Sequence, residues 1–178
     1  LDPDTFWLAR LSQDYAGLGG DVDYIETAAF VAGQTSVLSG DITLRAELEG
    51  GVLSMLGDDP SRFTDRYTLA GKIRGFEPGG IGPRDPAAPG GEALGGNLFA
   101  VARLEANFPI GLPEEYGISG GVFADAGSVW GLDATGGGVD GLDVVDDGFN
   151  LRAAVGVSVF WDTPIGPLRF NFSNAVVK

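Results

Sequence analysis

Apolar and polar residues alternate with a period of two over several long segments of this sequence. The segment 41–52 is the clearest case. Its apolar residues share one parity, at Ile42, Leu44, Ala46, Leu48 and Val52. Its polar residues occupy the other parity, at Asp41, Thr43, Arg45, Glu47 and Glu49. Since successive side chains of a strand point to opposite faces of a sheet, this pattern predicts a strand with one apolar and one ionic face.

Similar segments are found along the whole chain. The alternation recurs in residues 97–108 and 150–162, and weaker versions cover residues 6–15, 24–33, 118–130 and 168–173. Glycine is scattered through every segment and no apolar stripe of helical period persists, so we expect an all-β fold with about seven strands. In 97–108, Phe99 and Val101 are apolar exceptions on the polar parity.

The length of these segments and their connections indicate a membrane protein. Strands of soluble sheets usually have about 5–6 residues, whereas about ten residues tilted by roughly 45° cross the hydrocarbon core of a bilayer. Connections alternate between short turns, at residues 108–118 and 162–168, and long ones, at residues 55–96 and 131–148. Aromatic residues lie near segment ends, as in interfacial girdles, at Trp7, Tyr15, Tyr24, Phe108, Trp130 and Trp161.

Together these features favour an antiparallel up-and-down transmembrane β-barrel of the bacterial outer membrane, with short periplasmic turns and long outer loops. A soluble β-sandwich is the alternative that alternation alone also allows. Its water-facing surface would usually carry many lysines, and this chain has very few.

The composition excludes several functional classes. The 178 residues contain no Cys and no His, so the common zinc sites and His-based catalytic triads cannot form. The chain has 25 acidic against 11 basic residues and a formal charge of −14, which excludes nucleic acid as a partner. We therefore expect neither an enzyme nor a bound cofactor.

Residues 131–148 form a glycine-rich acidic segment. Its carboxylates are those of Asp133, Asp140, Asp143, Asp146 and Asp147. Clustered carboxylates can bind Ca²⁺, but their spacing matches no EF-hand. We expect a solvated acidic loop and keep a Ca²⁺ site as the alternative.

The long connection 55–96 contains the sequence Arg74-Gly75-Phe76. Considered alone, an Arg-Gly-Phe sequence in a loop is a turn with a solvated charge. Two acids on the neighbouring predicted strands change this interpretation, because Glu105 and Asp125 share the polar parity on strands joined by one short turn.

The midpoint between Glu105 and Asp125 is residue 115, which lies inside that turn. In a symmetric hairpin the two carboxylates would oppose each other at about 5 Å between Cβ atoms, where like charges destabilise the pair. A guanidinium offers several donors and stays charged outside bulk water, so Arg74 is the candidate cation for both acids. Arg103, on the strand face of Glu105, is the local alternative.

Several motifs, in this order, resemble the barrel of the BamA family, the bacterial surface-antigen barrels of the outer-membrane assembly machinery. They are residues 73–85, 94–97, 104–115, 123–130 and 163–169, with residues 16–22 as a further similarity. The resemblance implies that residues 1–178 are the C-terminal portion of a sixteen-stranded barrel, roughly strands nine to fifteen. It also implies that the first half of the barrel, the periplasmic domains and the last strand are missing from this sequence.

The resemblance further implies a function. Members of the family insert unfolded outer-membrane β-barrel substrates into the membrane without a catalytic residue or cofactor, in contact with assembly-machinery lipoproteins and outer-membrane lipids. Their long outer loop folds into the barrel lumen, where by position Arg74, in the motif with Gly75 and Phe76, would pair with Glu105 and Asp125. A related translocation barrel, either TamA-like or a two-partner secretion transporter, and a passive porin-like channel are the alternatives.

Overall fold

The computed structural model describes residues 5–19, 22–137 and 143–178. Its main element is a seven-stranded antiparallel sheet in which the strands follow one another in chain order. The strands are β1 (Thr5–Ala16), β2 (Tyr24–Val37), β3 (Ile42–Met55), β4 (Leu98–Pro109), β5 (Ile118–Trp130), β6 (Arg152–Thr163) and β7 (Gly166–Val177). The prediction of an all-β fold with about seven strands is confirmed.

Each strand has 12 to 14 residues, enough to cross a hydrocarbon core when tilted. The strands β2 and β7 extend beyond the predicted segments 24–33 and 168–173. Their ends contain Gly, Gln, Ser, Thr and Asn, which interrupt the apolar parity without interrupting backbone pairing. Hydrophobic alternation therefore located these strands but underestimated their length.

The two faces of the sheet differ in what covers them. Large apolar side chains of one face remain exposed, with Leu48 at 61% and Leu104 at 57% of their full accessible surface. On the other face, Phe123, Asp125 and Ala154 are buried. This arrangement gives an uncovered apolar face, which suits lipid, and a polar face covered by other parts of the chain.

Because successive strands are antiparallel, the connections lie in turn at the two ends of the sheet. At the first end they cover residues 38–41, 110–117 and 164–165 and have two to eight residues. At the second end they cover residues 56–97 and 131–151, which are the two long connections that the sequence predicts, and residues 17–23, a connection of seven residues. Trp7, Phe108 and Trp161 are close to the first end, and Tyr15, Tyr24 and Trp130 to the second, so both ends of the strands carry aromatic side chains.

The connection of residues 56–97, here called the arm, folds back across the polar face of the sheet. The strands that carry this polar face are here called the wall. Leu69, Ile73 and Ile81 of the arm form a buried cluster with four residues of the wall, Phe99, Val101, Val129 and Ala154. Two short strands within the arm, Arg84–Asp85 and Glu92–Ala93, pair with each other. The arm thus explains why Phe99 and Val101 are apolar on an otherwise polar face.

The sheet is open in the described part of the chain. There, β1 pairs only with β2, and β7 pairs only with β6. Unpaired backbone groups along such edges are costly in contact with lipid, so we expect both edges to be covered by further strands in a membrane. Within the described residues, no helix has the length and hydrophobicity needed to span a bilayer.

We predict that Ile73→Ala loosens the arm, because this side chain is 1% exposed and lies at the centre of the contact between arm and wall. Removing such a side chain typically costs about 2–5 kcal/mol. Proteolysis within residues 56–97 should become faster. Leu56→Ala, at an arm residue that is mostly exposed, is the control and should leave the cleavage rate unchanged. Equal rates for the two variants would show that the buried cluster does not hold the arm.

Candidate functional site

The Arg-Gly-Phe sequence lies where the arm crosses the polar face of the sheet and approaches several of its strands closely. Gly75 has a φ of +87°, a conformation that favours glycine. A Cβ at this position would lie 3.0 Å from the Oγ of Ser173 on β7 and 3.5 Å from the Cβ of Ala154 on β6. Gly75 therefore lets the backbone of the arm approach these two strands, while Phe76 packs at the margin of the buried cluster.

The guanidinium of Arg74 joins two carboxylates on neighbouring strands. Its Nη2 and Nε donate to the two carboxylate oxygens of Asp125, each at 2.7 Å, and its Nη1 donates to Oε2 of Glu105 at 2.7 Å. The backbone N–H of Arg74 also donates to Asp125, at 3.0 Å. A planar group with donors in a fixed fork can satisfy both acids at once, which an ammonium group cannot do with the same geometry.

An aromatic ring supports the guanidinium from one side. The Cζ of Arg74 lies 3.5 Å from the centroid of the Phe123 ring on β5. Room for this ring depends on Gly156 of β6, where a Cβ would lie 2.4 Å from Cζ of Phe123. The Phe123 ring thus adds a cation–π contact to the hydrogen bonds that Arg74 makes.

Arg74 remains charged in this environment. Burial by itself would lower the pKa of Arg74, but hydrogen bonds and charge interactions with Asp125 and Glu105 outweigh burial and raise this pKa above its ordinary value. The side chain of Asp125 is 0% exposed, so its charge has no access to water and depends on the guanidinium. The arrangement is an anchor for the arm, made of one cation and two wall acids.

The register of the β4–β5 hairpin differs from the sequence prediction. The prediction that Glu105 and Asp125 lie directly opposite each other is wrong, because Glu105 pairs with Phe123 and Asp125 pairs with Arg103. The hairpin is centred on residue 114 rather than 115, since its turn contains the 3-10 segment Glu114–Tyr116 and a left-handed Gly117. The two acids are diagonal neighbours, a separation that a guanidinium can bridge.

Two further wall arginines have roles that the sequence did not predict. Arg169 on β7 donates to Glu105 and lies over the ring of Phe160, with 4.9 Å between Cζ and the ring centroid. Arg103 is bonded to Glu47 on β3 at 2.8 Å, and within the described residues the cations bonded to Glu105 are Arg74 and Arg169. The alternation of Arg169, Asn171 and Ser173 with apolar residues on β7 was the available signal that Arg169 faces inward.

The acidic segment 131–148 is described in part. Residues 138–142, which include Asp140, lie outside the described residues, as does the side chain of Asp143. Three other aspartates accept hydrogen bonds from backbone N–H groups, Asp133 from Ser61, Asp146 from Gly148 and Asp147 from Leu132. In the part of the chain that is described, no cluster of three or more acidic side chains could hold a metal ion.

Asp133 links this segment to the arm. Its Oδ2 accepts from the backbone N–H of Ser61 at 2.8 Å. Burial would raise the pKa of Asp133, but hydrogen bonds from Ser61 and Asn97 and the charge of Arg66 outweigh burial and lower it below the ordinary value. Ser61 Oγ is in turn bonded to Asn97, next to the start of β4.

The fold and the site define a class of protein, the transmembrane barrels in which a long loop is anchored inside by an arginine. The chain belongs to the Omp85 superfamily, whose domain matches residues 1–178. It is 31% identical to the outer membrane protein assembly factor BamA of Neorickettsia risticii (strain Illinois) over 169 residues, which are 95% of this chain and 22% of that protein. The family resemblance found in the sequence is thus confirmed.

Other relatives come from bacteria and from animals. BamA of Neisseria meningitidis serogroup B (strain ATCC BAA-335 / MC58) is 32% identical over 124 residues, 61% of this chain and 16% of that protein. The human sorting and assembly machinery component 50 homolog is 35% identical over 106 residues, 58% of this chain and 22% of that protein. The chain therefore spans about a fifth of the length of the curated relatives it matches.

We predict that Asp125→Asn destabilises the barrel more than Glu105→Gln. Asp125 receives three hydrogen bonds from Arg74 and has no contact with water, whereas Glu105 also has Arg169 as a partner. Hydrogen bonds to charged groups contribute about 1.5–3 kcal/mol. A folded barrel runs faster in a gel than the unfolded chain. The temperature at which half of this faster band is lost, measured on the full-length protein, should be lowered more by Asp125→Asn than by Glu105→Gln. The reverse order would contradict the geometry of this anchor.

We also predict a pH dependence of the link between the arm and residues 131–137. Because the folded pKa of Asp133 is below that of the unfolded chain, its contribution to stability is present above about pH 4 and is lost as the pH falls through the folded pKa. The protection of the amides of residues 131–137 against hydrogen exchange, taken relative to the intrinsic rate at each pH, should fall in this acidic range. Asp133→Asn should give fast exchange at neutral pH as well, and Asp58→Asn, at an exposed acid of the arm, should behave as the wild type.

Proposed function

We propose that this chain is the C-terminal portion of an outer-membrane barrel that assembles and inserts β-barrel proteins. The anchoring of Arg74 to Asp125 and Glu105 is the observation that carries the proposal, because it holds a long loop against the inner face of a sheet whose outer face suits lipid. Similarity to two BamA proteins and to sorting and assembly machinery components supports it.

The role of the site in this proposal is mechanical. The arm covers the polar face of the wall and supplies a buried cluster that joins β4, β5 and β6. An arm fixed in this way keeps these strands in a single arrangement, while other parts of the barrel change shape during insertion. Arg74, Gly75 and Phe76 therefore act by position, without a chemical step, and the protein is neither an enzyme nor dependent on a cofactor.

The proposed partners follow from the surfaces. Unfolded β-barrel proteins are the substrates, outer-membrane lipids contact the exposed apolar face, and lipoproteins of the assembly machinery are the protein partners. The location is the bacterial outer membrane. The exposed apolar side chains of Leu48, Leu104 and Phe172 support lipid contact, and the names of the BamA relatives support the assembly role.

A passive channel is the main competing function. It has no use for an arm that packs against the wall through three buried side chains and an ion-pair anchor. A related translocation barrel, TamA-like or of the two-partner secretion type, would use the same anchor for a different cargo. The cargo itself distinguishes these two, because only an assembly protein would increase the amount of folded barrel proteins in the membrane.

We predict that Arg74→Asp in the full-length protein reduces barrel assembly, since it places three acids together and releases the arm. With about 1.4 kcal/mol per factor of ten, the loss of a charge-assisted hydrogen bond lowers the docked population by roughly tenfold or more. The measurement is the yield of a folded substrate barrel in proteoliposomes containing the protein. Arg84→Asp is the control, at an arm residue whose side chain donates to the carbonyl oxygens of Gly79 and Gly91 within the arm itself.

Restoring the ion pair with exchanged charges gives the decisive comparison. Arg74→Asp combined with Asp125→Arg should recover part of the assembly yield lost in Arg74→Asp alone. An assembly yield that is unchanged in Arg74→Asp would contradict the proposed role of the anchor. Unchanged assembly together with increased ion conductance would instead favour a channel.

A further inference from the structure

A second cation of the arm, Lys72, lies two residues before Arg74 and contacts a different part of the wall. The Nζ of Lys72 is paired with Glu49 on β3 and lies 5.3 Å from the centroid of the Phe99 ring on β4. Between the two cations, Ile73 points into the buried cluster. Residues 72–76 are here called the tip of the arm. The tip therefore has one charged side chain, Lys72, directed toward β3 and β4 and another, Arg74, directed toward β4 and β5.

The wall contacts the backbone of Lys72 as well as its side chain. Arg103 on β4 donates to the carbonyl oxygen of Lys72 at 3.2 Å. The same guanidinium is bonded to Glu47 at 2.8 Å and to Glu49 at 3.4 Å. Glu47 is directly opposite Arg103 in the β3–β4 register. The position of the Arg103 side chain is therefore set by a contact within the sheet as well as by its contact with the arm.

We propose that Lys72 is a second anchoring residue of the arm, which with Glu49 and Arg103 holds the tip to the β3–β4 side of the wall while Arg74 holds it to the β4–β5 side. Strand β4 contributes to both anchors, through Arg103 and Glu105. The tip is then held at two points, and both must release before the arm leaves the wall. This inference rests on the proposed function only for what the arm does in assembly.

The two anchors differ in how much water reaches them. A cavity of about 480 Å³ lies between them, lined by Lys72, Arg74, Arg103, Glu105 and Arg169 among others. The side chains of Lys72 and Glu49 are 33% and 20% exposed, whereas that of Asp125 is fully buried. The Lys72 anchor is therefore the weaker one, and its contribution should be screened by salt.

The test measures how often the arm uncovers the wall. Ala154 is buried beneath Gly75, and the chain has no cysteine, so Ala154→Cys reports release of the arm through its reaction with a water-soluble maleimide. The experiment uses the full-length protein in lipid, with any cysteine outside this chain replaced by serine. Heat-dependent gel mobility shows that each variant is folded, and no assembly activity is needed for the readout.

At low salt, Lys72→Gln should increase the labelling rate by about 2–5-fold, the range expected for a partly exposed ion pair. High salt should raise the wild-type rate toward that of Lys72→Gln and leave the variant nearly unchanged. Arg84→Gln removes a cation from the same arm without removing a wall contact, so its labelling rate should equal that of the wild type.

Two variants that keep the charge complete the test. Lys72→Arg should label as slowly as the wild type, and Lys72→Glu combined with Glu49→Lys should label more slowly than Lys72→Glu alone. The proposal is overturned if Lys72→Gln labels at the rate of Arg84→Gln, or if the exchanged pair brings no recovery. If Lys72→Gln does not fold, these charge-keeping variants decide the matter by the same rates.

Discussion

The structure depends on one guanidinium that satisfies a fully buried carboxylate. Asp125 faces the interior of the sheet with no exposed side-chain surface, and Arg74 supplies the three hydrogen bonds it receives from the arm. A buried charge without a partner is far more costly than the pair itself contributes, so the wall and the arm each require the other. Gly75 and the Phe123 ring are the local features that bring the two together.

Charge is distributed very unevenly in this molecule. The chain has a formal charge of −14 and only 11 basic residues, yet five of these line the cavity beside the Arg-Gly-Phe sequence of the arm. They are Arg45, Lys72, Arg74, Arg103 and Arg169, and their partners are wall acids of β3, β4 and β5. The cations are thus concentrated where acids would otherwise repel one another, and the opposite face of the sheet is left apolar for lipid.

Sequence periodicity predicts the part of this structure that follows from parity. The faces of the strands and the placement of Glu105 and Asp125 on the inner face depend only on whether a position is odd or even, and the two long connections follow from the spacing between the alternating segments. Register is different, because it depends on turn geometry. The 3-10 segment and Gly117 in the β4–β5 turn shift the pairing to Arg103 with Asp125, which parity cannot show.

Contacts between distant segments were also beyond prediction from pattern alone. Nothing in the sequence distinguishes Lys72 from other loop residues. Its ion pair with Glu49 and the hydrogen bond from Arg103 to its carbonyl oxygen become visible only in the folded structure. Phe99 and Val101 interrupted the polar face, and the arm that covers them supplies the reason. The contact of Arg74 is different, because two acids on one strand face require a cation and the family resemblance names Arg74 for it, and the structure has its guanidinium between Glu105 and Asp125.

The coupling energy between Arg74 and Asp125 tests the central claim most directly. It can be measured as a double-mutant cycle, with Arg74→Ala, Asp125→Ala and the double variant, from the thermal unfolding of the full-length barrel in detergent. If the anchor holds the arm to the wall, the two substitutions will be strongly non-additive, with a coupling of about 1–3 kcal/mol. Additive effects, within about 0.3 kcal/mol, would mean that Arg74 and Asp125 stabilise the barrel independently and would contradict the account.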